Sequence, residues 1–356
     1  MPERMDVLVV GAGPAGSRAA EASARAGARV LLAEAKRRAG ALPHCAEFVP
    51  QALALEMTMP SRARVQAVEG METRLGEKAA FMPGPGWILD RQVFDFALAA
   101  EASQAGAEVR TGCRLLGREN GRWQLLRGGE RLEVEAGAVV AADGAASPTA
   151  GALGLKPLKV LPGVQVVVPL AAKLTRTLIL LRPEIRGGYA WLFPRGEVAN
   201  LGLGCEPEAG PARLLKALRG ELMAQGLISP GVLARSAGAI PVEGPRPQPW
   251  SGQVLLAGDA AGLTHPLSGA GIPQAVFSGA EAGAAAAALA GGAGQGALDA
   301  YAQALALRYG RYLARGLAAR QRWEAGWEGE DFAGLMAATW PGFRPDLGRG
   351  GVGRGA

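Results

Sequence analysis

The chain has 356 residues, 49% of them hydrophobic and 20% charged, enough for two core-forming units or for one large α/β domain with a companion sheet. Its net charge of +6 comes from scattered arginines and not from blocks of like charge, which argues against a nucleic-acid-binding protein. Three dispersed cysteines and two lone histidines argue against a disulfide framework, a metal-ligand spacing and an intrinsic iron–sulfur cluster.

The first apolar run, Met5 through Val10, passes straight into a glycine turn and reads as a strand, not a signal peptide. "DVLVVGAGPAGSRAAEASARAGARVLLAE" then gives strand, turn, a helix from about Pro14 to Arg25, and a second strand at 30–33. A loop containing "ALPHCAEFVP" follows, then short strand-like pieces over 64–89 and a helix in "DRQVFDFALAAEASQAG". "EVRTG", "RWQLLRG", "RLEVEAG" and "AVVAADG" read as three or four strands. Short alternating strands occupy 158–243, interrupted by a helix near 211–225. "GQVLLAGD" is a buried strand, the Gly/Ala-rich run after it a closely packed helix too weakly hydrophobic for a membrane span, and 297–326 is Arg-rich and helical.

Within the alternating region, "GGYAWLFP" places Tyr189, Trp191 and Phe193 at period two, three rings on one face of a sheet. They fill an ordinary core or wall a pocket; periodicity alone leaves both open.

The chemistry concentrates in three stretches. "VVGAGPAG" sets Gly11, Gly13 and Gly16 in the GxGxxG spacing: a tight turn, backbone approach to a pyrophosphate, and close helix–strand packing, with the helix start at Pro14 and Ala15 facing the phosphates. Glu34 ends the second strand, where a carboxylate binds both ribose hydroxyls and repels a 2′-phosphate, so the nucleotide is NAD or FAD. Asp143-Gly144 and Gly258-Asp259 each put a carboxylate beside glycine where a buried strand ends, the crevice in which such sheets hold ligands. Gly269, Gly271 and Ile272 then start a helix able to face a flavin or its phosphates, and a third nucleotide-facing strand favours FAD over NAD. Asp143 alone reads equally well as a turn cap.

"GAGPAG", "ILDRQVFDFALAAEASQAGAEV", "AADGAAS" and "LLAGDAAGLTHPLSGAGI" together resemble the FAD-binding framework of p-hydroxybenzoate hydroxylase-like flavoproteins. "GGYAWLFPRGEVANLGLG" and "PHCAEFVP" narrow the resemblance, over about residues 5–290, to the geranylgeranyl reductase family. The resemblance implies that Arg91 contacts the cofactor and Asp259 the ribityl–phosphate region. It also implies that the Tyr189 strand lines a substrate cavity in front of the flavin, near the cysteine loop. In that family the cysteine is typically followed by glycine; here Ala46 and Glu47 follow Cys45.

The expected fold is therefore α/β (α+β): a Rossmann-like FAD-binding domain over 1–63, 90–157 and 245–292, interrupted by an antiparallel-sheet substrate domain over 64–89 and 158–244. A C-terminal helical region (293–340) and a flexible tail (341–356) complete it. Cys45 and Tyr189 are the catalytic candidates, with His44, Glu47, Trp191 and Phe193 in the pocket; His265 positions backbone, and Cys113 and Cys205 are core. With one GxGxxG, NAD(P)H visits transiently or electrons come from a protein donor. The expected activity is reduction of carbon–carbon double bonds in a prenyl or other apolar substrate, in a cytoplasmic protein or one peripheral at a membrane. The competing readings are a monooxygenase acting on an aromatic small molecule or peptide side chain, and an electron-transfer flavoprotein.

Overall fold

The computed structural model describes residues 1–41 and 45–343; His44 lies outside the described residues. Its strands are β1 (Glu3–Val10), β2 (Val30–Glu34), β3 (Phe48–Pro50), β4 (Arg64–Leu75), β5 (Lys78–Leu89), β6 (Glu108–Thr111), β7 (Cys113–Glu119) and β8 (Arg122–Arg127). β9 (Glu130–Ala141), β10 (Val160–Pro169), β11 (Thr177–Leu180), β12 (Tyr189–Arg195), β13 (Val198–Gly204), β14 (Ala234–Pro241), β15 (Trp250–Ser251) and β16 (Val254–Leu256) follow. The helices are α1 (Pro14–Arg25), α2 (Arg91–Gln104), α3 (Pro148–Ala152), α4 (Pro211–Ala224), α5 (Ile272–Ala290), α6 (Gln295–Leu305), α7 (Arg311–Gly326) and α8 (Phe332–Thr339).

Two sheets carry the molecule. One runs β15-β16-β9-β1-β2-β6, parallel from β16 to β6, with the β7–β8 hairpin attached through β8 to β9. The second half of β1 (Val7–Val10), β2 and β16 are near-continuous apolar runs because a parallel sheet is covered on both faces. The other runs β14-β10-β13-β12-β11-β4-β5-β3, and all its pairs but β11–β4 are antiparallel.

The Gly/Ala-rich run is α5, and its composition has a steric cause. A Cβ at Gly279 or Gly283 would run into the backbone of Ala15 or Ala19, so α5 lies directly on α1. Ser23 Oγ donates to the Gly283 carbonyl across that contact at 2.8 Å. Asp90 caps α2, accepting from the amides of Gln92 (2.9 Å) and Val93 (3.1 Å).

Three local expectations change. The pieces over 64–89 are two 12-residue strands forming one hairpin with register shifts. "RLEVEAG" and "AVVAADG" belong to the single strand β9; Gly137 does not break it, since a Cβ there would sit 3.1 Å from the Asp6 carbonyl oxygen and 3.2 Å from Ala290 Cβ. β7 was not expected, yet Asn120-Gly121, both at positive φ, is the two-residue turn that joins β7 to β8.

Candidate active site

The glycine turn closes on itself in the way a nucleotide site requires. Gly11 (φ +97°) is pressed against β9's end, a Cβ meeting the Ala142 oxygen at 2.5 Å, and a Cβ on Gly16 would strike the Gly11 carbonyl. Gly13 differs: a Cβ there meets nothing within 4 Å. It is the N-cap of α1, has no side-chain cap, and precedes Pro14 at the first helical position, leaving an open space before the helix's positive end. Glu34 accepts from the backbone amides of Ala12 (2.7 Å) and Lys36 (2.8 Å), which fixes its carboxylate beside the turn.

The ends of β9 and β16 converge on the same crevice, because Gly258 (φ +58°) packs against Ala15 and Gly11 against Ala142. Asp259 accepts from Thr264 Oγ1 at 2.6 Å and faces Gly271 at the start of α5, whose N-cap likewise lacks a side-chain cap. Burial raises the Asp259 pKa, opposed by the Thr264 bond and by the Arg91 charge. Asp143, the other candidate cofactor ligand, is engaged within the protein. Its oxygens accept from Ser147 Oγ (2.5 Å), Thr149 N (2.8 Å) and Thr149 Oγ1 (2.7 Å), so its carboxylate closes the turn into α3 and leaves Gly144 (φ +83°) to open space. Two uncapped helix starts, a ribose-height carboxylate and glycines whose missing side chains leave room form a donor set that fits FAD.

The cysteine loop is held by a buried polar network. Glu47, at φ +73° and 5% exposed, accepts from Asn200 Nδ2 (2.8 Å) and from the Arg91 amide (3.1 Å), and pairs with Arg195 at 3.3 Å. Gln165 donates to the Cys45 carbonyl at 3.1 Å and accepts from Trp191 Nε1 at 2.9 Å. Glu47 lines the cavity, as the sequence expects, and its carboxylate also ties the loop to α2 and β13. Burial nevertheless raises its pKa, with Arg195 pulling it back. Arg91 pairs through Nε and Nη2 with Asp95 (2.8 and 2.9 Å) and lowers the charge cost at Cys45, whose thiol pKa is raised chiefly by burial.

Between the loop, β12, β14 and the start of α5 lies a cavity of about 730 Å³. Tyr189, Trp191 and Phe193 all line it, with Cys45 and Gly269–Gln274 on the adjoining wall. Ala190 and Leu192 point instead into the core against α4. The alternating rings therefore do both: they wall the cavity, and Trp191 and Phe193 also pack in a core with Trp323 and Trp340. Tyr189 donates its hydroxyl hydrogen to the Ser268 carbonyl at 2.6 Å, and burial holds its pKa far above the usual phenol value.

Several side chains that line the cavity or hold its loop are not singled out by the sequence. Trp340 lines the cavity from α8's end, edge-on to Tyr189 at 4.8 Å and stacked on Trp323 at 5.8 Å. Gln165 and Asn200 did carry a signal, each a lone amide in an otherwise apolar strand, where a buried polar group needs a partner.

His265 is buried against Gly316 and Tyr312. Its Nδ1 accepts from the Ser268 amide at 3.1 Å, and its backbone closes the Pro266–Ala270 turn through bonds with Ala270 and Gly269. Burial pushes its pKa down from 6.5 to about 4. The fold thus keeps the neutral ring, while the unfolded chain takes up a proton below 6.5. We predict that stability present above pH 6.5 is lost as pH falls toward 4, by at most about 3 kcal/mol. In urea titrations across that window, His265→Gln should flatten the slope; an unchanged slope would assign the acid sensitivity to other groups.

Comparison with known proteins gives one consistent neighbourhood. The FAD dependent oxidoreductase family matches residues 42–209, and the glucose inhibited division protein A family matches residues 6–52. The digeranylgeranylglycerophospholipid reductase of Methanothrix thermoacetophila is 34% identical, over 79% of this chain and 77% of its own. Digeranylgeranylglycerophospholipid reductase 2 of Methanopyrus kandleri is 37% identical, over 78% and 76%. Among solved structures, a geranylgeranyl bacteriochlorophyll reductase-like protein from Thermoplasma acidophilum superposes with a TM-score of 0.84 at 24% identity, over 96% of this chain and 98% of that one. A myxobacterial chondrochloren halogenase, an FAD-dependent enzyme, shares the fold with a TM-score of 0.71 at 19% identity, over 98% and 93%.

Proposed function

The chain belongs to the geranylgeranyl reductase family of FAD-dependent oxidoreductases, and from that premise we propose that it saturates carbon–carbon double bonds in the isoprenoid chains of a digeranylgeranyl-type lipid. The observation that carries this reading is the aromatic-walled cavity of about 730 Å³ that adjoins both the cofactor crevice at Gly269–Gln274 and the Cys45 loop. Such a cavity suits a long apolar chain, which needs dry surface and few polar contacts.

FAD, when bound and reduced, supplies hydride; the remaining hydrogen of a saturated bond must come as a proton from the protein. Gly11, Gly13 and Gly16 with α1, Glu34, Asp259 and the start of α5 would hold the dinucleotide. Cys45 holds a proton at neutral pH because burial raises its thiol pKa, and it lies on the cavity wall. Tyr189, its hydrogen committed to the Ser268 carbonyl, positions the 265–270 turn. The aromatic wall excludes water from the reacting bond. A single dinucleotide turn supports an electron donor that visits transiently, either NAD(P)H or a carrier protein.

Cys45→Ala should leave flavin content unchanged and slow reduction of a geranylgeranyl phospholipid by about 10²-fold or more, the usual contribution of a positioned acid. Tyr189→Phe should cost far less. Wild-type turnover in Cys45→Ala would remove the thiol from the chemistry.

A further inference from the structure

Apart from Met1, the two most exposed large hydrophobic side chains among the described residues are Leu55, at 88%, and Leu307, at 80%. They lie far apart in sequence, on the 3₁₀ turn Gln51–Leu55 and on the π turn Ala306–Gly310 that joins α6 to α7. An ion pair between Glu56 and Arg308, each the next residue along, brings the two turns together. Both turns also reach the cavity: Ala52, Leu53 and Glu56 line it from one side, Arg308 and Tyr309 from the other. The leucines therefore stand on the cavity's rim. Isolated exposed leucines are ordinary, but two clasped beside the opening of a lipid-sized cavity form a patch.

Beyond the Glu56–Arg308 pair, the charged residues that follow each leucine closely in the chain are arginines. Arg308, Arg311 and Arg315 are exposed and recur at one-turn spacing, and no acidic residue occurs between Ala306 and Arg322. On the other segment, exposed Arg62 and Arg64 follow Glu56 in the chain, and Glu56 is already paired with Arg308. Among the described residues no helix is long and apolar enough to cross a membrane. Apolar tips ringed by arginines are the composition that seats a protein at the boundary between headgroups and acyl chains.

We propose that this rim docks on the surface of an anionic lipid bilayer, with Leu55 and Leu307 inserted among the acyl chains and the arginines against headgroup phosphates. Resting on the lipid-substrate reading, the docked rim lets an isoprenoid chain pass from bilayer to cavity without crossing water.

The test uses the FAD-loaded protein and sedimentation with vesicles of phosphatidylcholine alone or mixed with phosphatidylglycerol. Wild type should bind the mixed vesicles, more weakly as salt is raised, and the double variant Leu55→Asp/Leu307→Asp should bind about tenfold or more weakly. The double variant should also lose turnover on vesicle-borne geranylgeranyl lipid while keeping wild-type rates on a short, water-soluble prenyl alcohol. Leu55→Ser/Leu307→Ser repeats the test if the aspartates impair folding, as judged by flavin content. Wild type that ignores vesicles, binding indifferent to phosphatidylglycerol, or a double variant that sediments like wild type would overturn the proposal. Vesicle binding is read without turnover, so a failure of the proposed chemistry leaves this test intact.

Discussion

Gly13→Val is expected to yield a folded, colourless protein. A Cβ at this position meets no protein atom within 4 Å, so the apoprotein has room for the side chain. The room it takes is the space before α1's uncapped N-terminus, where the pyrophosphate would lie. Gly16→Val should behave differently, because a Cβ there runs into the Gly11 carbonyl and forces α1 away from β1. The first variant loses the cofactor and keeps the fold; the second loses both. Circular dichroism with flavin absorbance separates the cases. Full flavin occupancy in folded Gly13→Val would place the cofactor elsewhere.

Trp340→Ala is expected to destabilise the protein by about 3–5 kcal/mol, the range for deleting a buried tryptophan. Trp340 is 2% exposed, donates to the buried Thr73 hydroxyl at 3.0 Å, stacks on Trp323 and meets Tyr189 edge-on. Its loss removes ring contacts and leaves Thr73 without that donor. The space joins the cavity already present, so flavin should stay bound while longer or bulkier chains gain admission. Trp340→Phe should recover much of the stability. Thermal unfolding of the FAD-loaded variants checks this, and a Trp340→Ala melting point equal to wild type would show that α8 carries no wall.

The cofactor half was the more legible part because its signals are local. Gly11, Gly13, Gly16 and Glu34 fall within one strand–turn–helix–strand unit, and Gly258-Asp259 announces itself at a buried strand's end. Asp143 shows where local pattern stops: a strand-end Asp-Gly suits a ligand or a cap, and the bonds from the hydroxyl and amide of Thr149, which show the capping role, become visible only in the fold. The aromatic stripe was visible as alternation, but whether it filled core or cavity depended on partners far along the chain. Trp340 touches Thr73 and Tyr189, contacts that no window of sequence contains. Glu47 reads as an acid in a reactive loop, but its partners Asn200, Arg195 and the Arg91 amide, each on a different element, are not visible in the local sequence.

The fold is shared with FAD-dependent halogenases, so shape alone does not select reduction over oxygen chemistry. The most direct measurement is product mass after anaerobic turnover: holoprotein reduced with dithionite, mixed with a digeranylgeranyl phospholipid, and the lipid extracted. We predict a lipid heavier by one pair of hydrogens for each double bond reduced, with no oxygen gained, and loss of this product in colourless Gly13→Val. An unchanged lipid under these conditions, with oxygen appearing in an aromatic substrate once air is admitted, would contradict it.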